Sequence, residues 1–231
     1  MSARDRIFAN IRGSLGRGPL PAPLVAELEA KIAAHAPNLI PERSRLAHDQ
    51  QIELFVRMAQ EAGATFSRLG SRAAVPRAVL EFLNANTVPP ELRLSPDREL
   101  DRIPWSAQRE LNVTRGRARR DDLTSVTPSF AAIAETGTLV FVSGAERPAT
   151  LNFLPDNHIV VLDAHDVVGP YEDVLTKLRA AGSPDCFMPR TVNFVTGPSR
   201  TADIALTIVR GAHGPRRLHI ILIETELRDA L

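Results

Sequence analysis

Two short segments consist almost entirely of apolar residues in succession, and they constrain the fold more than any other feature. They are Thr138–Val142 (TLVFV) and Ile220–Ile223 (IILI). A strand with one solvated face alternates apolar and polar residues, whereas a strand covered on both faces is apolar throughout. Both segments are therefore predicted to be inner strands of a single, mostly parallel sheet that lies between helices.

The sequence after Gly63 alternates short apolar runs with helical spacing. Val75–Ala85 has the spacing of a helix that buries one face. This alternation is typical of an α/β fold in which helices connect parallel strands. The segments predicted as strands are Ala64–Leu69, Leu92–Ser95, Leu111–Thr114, Ser125–Thr127, Thr138–Val142, His158–Leu162, Val192–Thr196 and Leu218–Ile223.

The residues before Gly63 have helical rather than α/β patterning. Apolar side chains recur at helical spacing in Arg4–Leu15, Leu24–Ala34 and Ser44–Ala62. The glycines and prolines of Gly16–Pro23 cannot continue a helix, so this stretch is predicted to be a linker. We therefore predict an N-terminal helical extension over residues 1–62 and an α/β domain over residues 63–231.

Composition excludes several classes of function. The 28 basic and 27 acidic residues leave a net charge of +1, which disfavours nucleic acid as a partner. Cys186 is the only cysteine, so the chain can form neither an intrachain disulfide nor a thiolate cage for an iron–sulfur cluster. No run approaches the roughly 18 apolar residues of a transmembrane segment. Charged residues near the N-terminus interrupt any apolar stretch that could form the core of a signal peptide. A cytoplasmic location is expected.

The first candidate site is the segment Ala131–Thr138 (AAIAETGT), which leads into an apolar strand. If Glu135 is partly buried there, it can act as a general base or a nucleophile. Thr136, Gly137 and Thr138 would then supply hydroxyl and backbone donors for an anionic substrate. The alternative is that Glu135 faces solvent and Gly137 only serves a turn.

The second candidate site is Gly197–Asp203 (GPSRTAD), where the pattern predicts that a strand passes into a helix marked by Ile204, Ile208 and Val209. Free backbone N–H groups at a helix N-terminus bind phosphates and carboxylates. The candidate anion-binding residues are Gly197, Ser199, Arg200, Thr201 and Asp203. The alternative is that Ser199 only caps the helix and that the helix dipole favours Asp203.

Several well-defined motifs are absent from the sequence. It contains no Gly-x-Gly-x-x-Gly after a strand, no phosphate-binding Gly-x4-Gly-Lys-Ser/Thr and no Gly-x-Ser-x-Gly. These absences leave NAD, ATP and serine hydrolase chemistry without support. Its histidines and carboxylates also have no metal-ligand spacing, so we predict no metal site.

Three segments in the second half of the chain resemble the lactate utilization (LUD) domain family. They are AAIAETGT at 131–138, HIVVL at 158–162 and GPSRTADIALTIVRGAHGP at 197–215. The resemblance implies a fold similar to that of ribose-5-phosphate isomerase, glucosamine-6-phosphate deaminase and CoA transferases. It also implies a part in the oxidation of L-lactate to pyruvate, beside iron–sulfur partner proteins that carry the clusters. No cofactor is expected in this chain itself.

Three functions remain open at this point. The favoured one is a component of a lactate-oxidising system that binds a small carboxylate. The second is a self-sufficient enzyme of the isomerase or acyl-transferase kind that uses Glu135, and the third is a non-catalytic assembly subunit. We also predict that Glu135 and Gly197–Asp203 line one shared cleft at an edge of the sheet.

Overall fold

The computed structural model describes residues 2–16, 18–182, 188–201 and 209–224. Its contacts divide the chain into two compact units, Met1–Leu39 and Ile40–Leu231. The first unit contains α1 (Ala3–Ser14) and α2 (Ala22–Ala34), and neither helix has a buried residue. The sequence pattern placed the boundary at residue 62, whereas α3 (His48–Glu61) belongs to the second unit because its apolar face lies in that unit's core.

The second unit is an α/β structure with two further helices, α4 (Val75–Ala85) and α5 (Tyr171–Ala181). The bounds of α4 are those that the sequence predicted. In chain order the strands are β1 (Thr65–Leu69), β2 (Glu91–Leu94), β3 (Asn112–Arg115), β4 (Thr124–Pro128), β5 (Ala131–Ile133), β6 (Thr138–Val142), β7 (Asn157–Asp163), β8 (Val167–Val168), β9 (Val192–Val195), β10 (Arg200–Thr201), β11 (Val209–Arg210) and β12 (Arg217–Ile223).

The central sheet has six strands in the order β1-β12-β7-β4-β2-β3, and every neighbouring pair is parallel. A mostly parallel sheet between helices is thus confirmed. On β12, Ile220 and Leu222 pack with α3, whereas Ile221 and Ile223 pack with α4. Because both faces are covered, every position of this segment has to be apolar.

The strands do not form the single sheet that the sequence suggested. β6 and β9 belong to a separate four-stranded sheet with the order β8-β5-β6-β9, in which β6 is antiparallel to both of its neighbours. The short turn at 134–137 accounts for this difference, because so short a connection can join only antiparallel strands. A third, two-stranded ribbon pairs β10 with β11.

The strands of the central sheet all end at one edge, which we call the carboxyl edge. β1, β2, β4 and β7 end there at Leu69, Leu94, Pro128 and Asp163. In sheets of this kind, ligands bind in the crevice outside the carboxyl ends of the strands. Among the described residues, none of the helices combines the length and the apolar character needed to cross a bilayer.

Candidate functional site

Glu135 lies in the hairpin turn (residues 134–137) that joins β5 to β6. The turn is anchored to β8 and the residue after it: the Ala134 amide donates to the Val168 carbonyl at 2.8 Å, and the Glu135 amide donates to the Gly169 carbonyl at 3.2 Å. Only 10% of the Glu135 side chain is exposed. The carboxylate is therefore largely withdrawn from solvent, as a buried site residue would be.

The partner of Glu135 is Arg43, which the sequence analysis did not identify. Arg43 Nη2 donates to Glu135 Oε1 at 3.2 Å, and 64% of the Arg43 side chain is exposed. Arg43 lies in the 3-10 turn Glu42–Ser44, and the Ser44 carbonyl leaves no room for a side chain at Gly169. Arg43 and Glu135 are 92 positions apart in the sequence, so no local pattern could pair them.

Hydroxyl groups form a cluster beside the hairpin turn. The Thr136 and Thr138 hydroxyls lie 2.7 Å apart, and the Tyr171 hydroxyl lies 3.0 Å from the first and 3.3 Å from the second. The Thr196 hydroxyl lies 2.6 Å from that of Thr138. Of these four groups, the sequence analysis identified the two on the hairpin turn and its exit, but not Tyr171 or Thr196.

Both candidate segments contact the C-terminal end of α3 through a glycine. Gly137 has a φ of +65°, and a Cβ there would lie 2.3 Å from the Ala59 nitrogen. Gly197 has a φ of +75°, and a Cβ there would lie 2.4 Å from the Ala62 carbonyl oxygen. Glycine is thus required at both positions by the backbone conformation and by the close approach of α3.

The segment after Gly197 differs from the prediction. Arg200 and Thr201 form strand β10 and pair with β11, so no helix begins at Ser199, and Val209 is a strand residue. The Ser199 amide donates to the Pro215 carbonyl at 2.8 Å and is therefore not open to an anion. Gly-Pro followed by hydroxylated residues suits a strand after a turn as well as a helix start. Asp203 and the centre of the predicted helix lie outside the described residues.

The structure brings the two segments together at one end of the four-stranded sheet, through Thr138 and Thr196. The two segments therefore meet at the four-stranded sheet, whereas the sequence predicted that they would meet at an edge of the central sheet. Whether Glu135 and residues 197–203 line one cleft stays a prediction.

A second concentration of charge, which the sequence analysis missed, surrounds a cavity of about 300 Å³ at the carboxyl edge. We call it the carboxyl-edge cavity. Its wall includes Phe130, which follows β4, and Asp163, which ends β7. Positions at or just beyond the ends of strands were a usable signal. The cavity's basic side chains come from separate parts of the chain, namely Arg72, Arg102, Arg147 and Lys177.

Asp163, His165 and Asp166 are the one set of three potential metal ligands whose ligand atoms approach within 4.8 Å of one another in the described part of the chain. Asp163 is already ion-paired with Arg72, and Asp166 with Lys177. The protein's own cations therefore occupy these carboxylates.

Two histidines in the central sheet are buried and uncharged. His158 Nε2 lies 2.7 Å from the Thr127 hydroxyl, and burial lowers its pKa to about 3. His219 lies against the Phe82 ring, 4.5 Å between centroids, and burial lowers its pKa to about 4. Both therefore serve the fold as neutral side chains.

The fold and these sites define an α/β protein with a parallel central sheet and a buried glutamate on an adjoining hairpin. Residues 52–223 match the model of the LUD domain family, and the chain belongs to that family. The crystal structure of a DUF162 family protein from Deinococcus radiodurans shares the fold, with a TM-score of 0.55 and 20% identity over 78% of this chain and 99% of that one.

Curated relatives extend this result. The uncharacterized protein YkgG of Escherichia coli is 26% identical over 97% of this chain and 99% of its own length. Lactate utilization protein C of an Exiguobacterium species is 30% identical over 52% of this chain and 51% of its own length. The match to lactate utilization protein C therefore spans about half of that relative.

Proposed function

We propose that the chain is a component of an L-lactate oxidation system and acts with iron–sulfur partner proteins. The name of its relatives, lactate utilization protein C, supports the pathway. The pairing of Glu135 with Arg43 supports a role in handling the substrate. A 2-hydroxy acid has a carboxylate and a hydroxyl group, and this pair has a complementary group for each.

The exposed guanidinium of Arg43 uses one of its donors on Glu135. A guanidinium has five N–H donors in a planar fork, so the others can bind the carboxylate of lactate. The buried Glu135 carboxylate can act as a general base and accept the proton of the 2-hydroxyl group of lactate. In this proposal, Thr136, Thr138 and the turn glycine Gly137 surround the Glu135 carboxylate.

Oxidation of lactate to pyruvate removes two electrons and two protons. In this proposal Glu135 accepts the hydroxyl proton, and the partner proteins, whose iron–sulfur clusters would serve as the electron acceptor, would take up the two electrons and the proton of the broken Cα–H bond. With Cys186 as its only cysteine, the chain has too few thiolates to hold such a cluster. Electron transfer therefore falls to the partners, and substrate positioning falls to this chain.

A reconstitution tests the proposal. The purified chain is mixed with L-lactate and an artificial electron acceptor, with and without the cluster-bearing proteins, and pyruvate is measured. Pyruvate should form only when chain and partners are both present. Turnover by the chain alone would favour a self-sufficient enzyme. Undiminished turnover by the partners without the chain would contradict a role in the reaction.

A further inference from the structure

We propose that the carboxyl-edge cavity is a second binding site, which takes the oxyanion group, carboxylate or phosphate, of a small metabolite. Its volume of about 300 Å³ is at the lower end of the range for small-molecule sites. It lies outside the carboxyl ends of β4 and β7, where parallel sheets place their ligands. The hairpin turn does not contribute to its wall.

Arg147 provides the most suitable anion-binding group in this cavity. Its Nε donates to Asp97, whose side chain is only 4% exposed, and the second Asp97 oxygen accepts from the Glu99 amide at 3.0 Å. The guanidinium is therefore held in place from one side. Its two terminal nitrogens have no hydrogen-bond partner among the described residues, so the fork is available to bind a carboxylate or a phosphate in bidentate fashion.

Arg102 and Arg72 add further donors around the same space. Arg102 Nη1 donates to Glu99 at 3.1 Å, and 64% of the Arg102 side chain is exposed, so most of its donors remain accessible. Arg72 Nη2 donates a hydrogen bond to the Asp163 carboxylate. Lys177 is committed differently, because its ammonium donates to the Phe130 carbonyl at 2.9 Å and to Asp166. It stabilises the wall rather than serving the ligand.

The carboxylates of the cavity set the selectivity. Glu99, Asp163 and Asp166 also line it, so the net charge of the wall is small and does not attract every anion. Binding then depends on the planar geometry of the guanidinium groups rather than on bulk charge. An oxyanion that matches the fork of Arg147 is preferred over a halide of the same charge.

The test measures binding of inorganic phosphate and of malonate to the full chain by isothermal titration calorimetry. Arg147→Lys keeps a cation beside Asp97 but removes the fork, and Arg102→Gln removes an exposed donor. Each should weaken binding about tenfold, the effect of losing a charge-assisted hydrogen bond. Arg98→Gln removes an arginine that is 86% exposed and outside the cavity, so it should change binding less than about twofold.

Binding of phosphate alone identifies a phosphate ester as the ligand class, and binding of malonate alone identifies a carboxylate. The proposal is overturned if the parent binds neither probe below about 10 mM, or if Arg98→Gln weakens binding as much as the cavity variants. Arg102→Gln keeps the test decisive if Arg147→Lys lowers the melting temperature. Glu135→Gln should leave this binding unchanged. A failure of this proposal can therefore be distinguished from a failure of the proposed role in lactate oxidation.

Discussion

The hydroxyls of Thr138 and Thr196 lie 2.6 Å apart, although 58 positions separate the two residues in the sequence. Each threonine adjoins a glycine that contacts α3, Gly137 in the first case and Gly197 in the second. The end of α3 thus holds the start of β6 and the end of β9 together. This arrangement makes the two glycines structural requirements of the candidate site.

We expect Gly137→Ala and Gly197→Ala each to lower the free energy of unfolding by about 2 kcal/mol or more. An added Cβ would collide with the α3 backbone, and alanine would also be strained at a positive φ. Urea denaturation measures the change. Gly70→Ala is the control, because a Cβ at Gly70 meets nothing within 4 Å. Equal stability of all three variants would contradict the close packing on α3.

We expect Glu135→Gln to fold normally and to lower reconstituted lactate oxidation sharply, by about a hundredfold or more, if Glu135 is the general base. The substitution keeps the shape of the side chain but removes its charge and most of its basicity. Pyruvate formation is measured after thermal melting has shown that the variant is folded. Glu146→Gln is the matched control, because it makes the same substitution at a half-exposed glutamate. Its carboxylate Oε1 lies 3.7 Å from Nε of the surface residue Arg98. Full activity of the Glu135 variant would refute a role as base.

The buried histidines predict how stability depends on pH. In the unfolded chain both titrate near 6.5, but in the folded chain His158 and His219 titrate at about 3 and about 4. Their contribution is complete above pH 6.5 and is lost as the pH falls, because the unfolded state binds protons first. Each should lower the free energy of unfolding by about 1.4 kcal/mol per pH unit between pH 6.5 and its own folded pKa, about 3 for His158 and about 4 for His219.

Urea denaturation over this pH range, compared between variants, isolates the effect. His219→Gln should reduce the slope, whereas replacement of the exposed His165 by glutamine should not. A slope that is the same in all three proteins would show that the buried histidines do not govern the acid response.

A further prediction compares two neighbouring aspartates. Asp122 accepts two hydrogen bonds from the buried Arg93, at 2.9 and 3.0 Å, whereas Asp121 is exposed. Asp122→Asn should lower the free energy of unfolding by about 3 kcal/mol, because it leaves the Arg93 charge without its partner. Asp121→Asn should change it by less than about 0.5 kcal/mol. Similar melting temperatures for the two variants would show that the Arg93 pair contributes little.

The local sequence pattern was sufficient to predict elements whose apolar residues recur with the spacing of the face that they bury. α4 and the strand at Ile220–Ile223 were predictable because their apolar positions match the faces that they cover. The same reasoning could not assign strands to sheets, since β6 is as apolar as β12 yet lies in the smaller sheet. Sheet membership depends on the hairpin turn, which the sequence analysis treated as a loop leading into a strand.

The functional residues were harder to predict than the fold. Glu135 was identified from its own segment, but its partner Arg43 and the arginine fork of Arg147 depend on contacts between distant parts of the chain. Arg200 and Thr201 were assigned to a helix because glycine and proline before hydroxyl groups resemble a helix start. The pairing of β10 with β11 overrides that local preference.

The position of β12 in the central sheet has a consequence for how the protein folds. β12 lies between β1 and β7, and its His219 pairs with Thr65 of β1 across 154 positions. Among the described strands β1 pairs only with β12, so it stays unpaired on the ribosome until β12 has been synthesised. Contacts of such long range slow folding and leave an open strand edge for a chaperone or for aggregation. A nascent chain that ends before β12 should therefore be sensitive to protease in β1, which lacks its partner, more than in β7, β4, β2 and β3, which pair with one another.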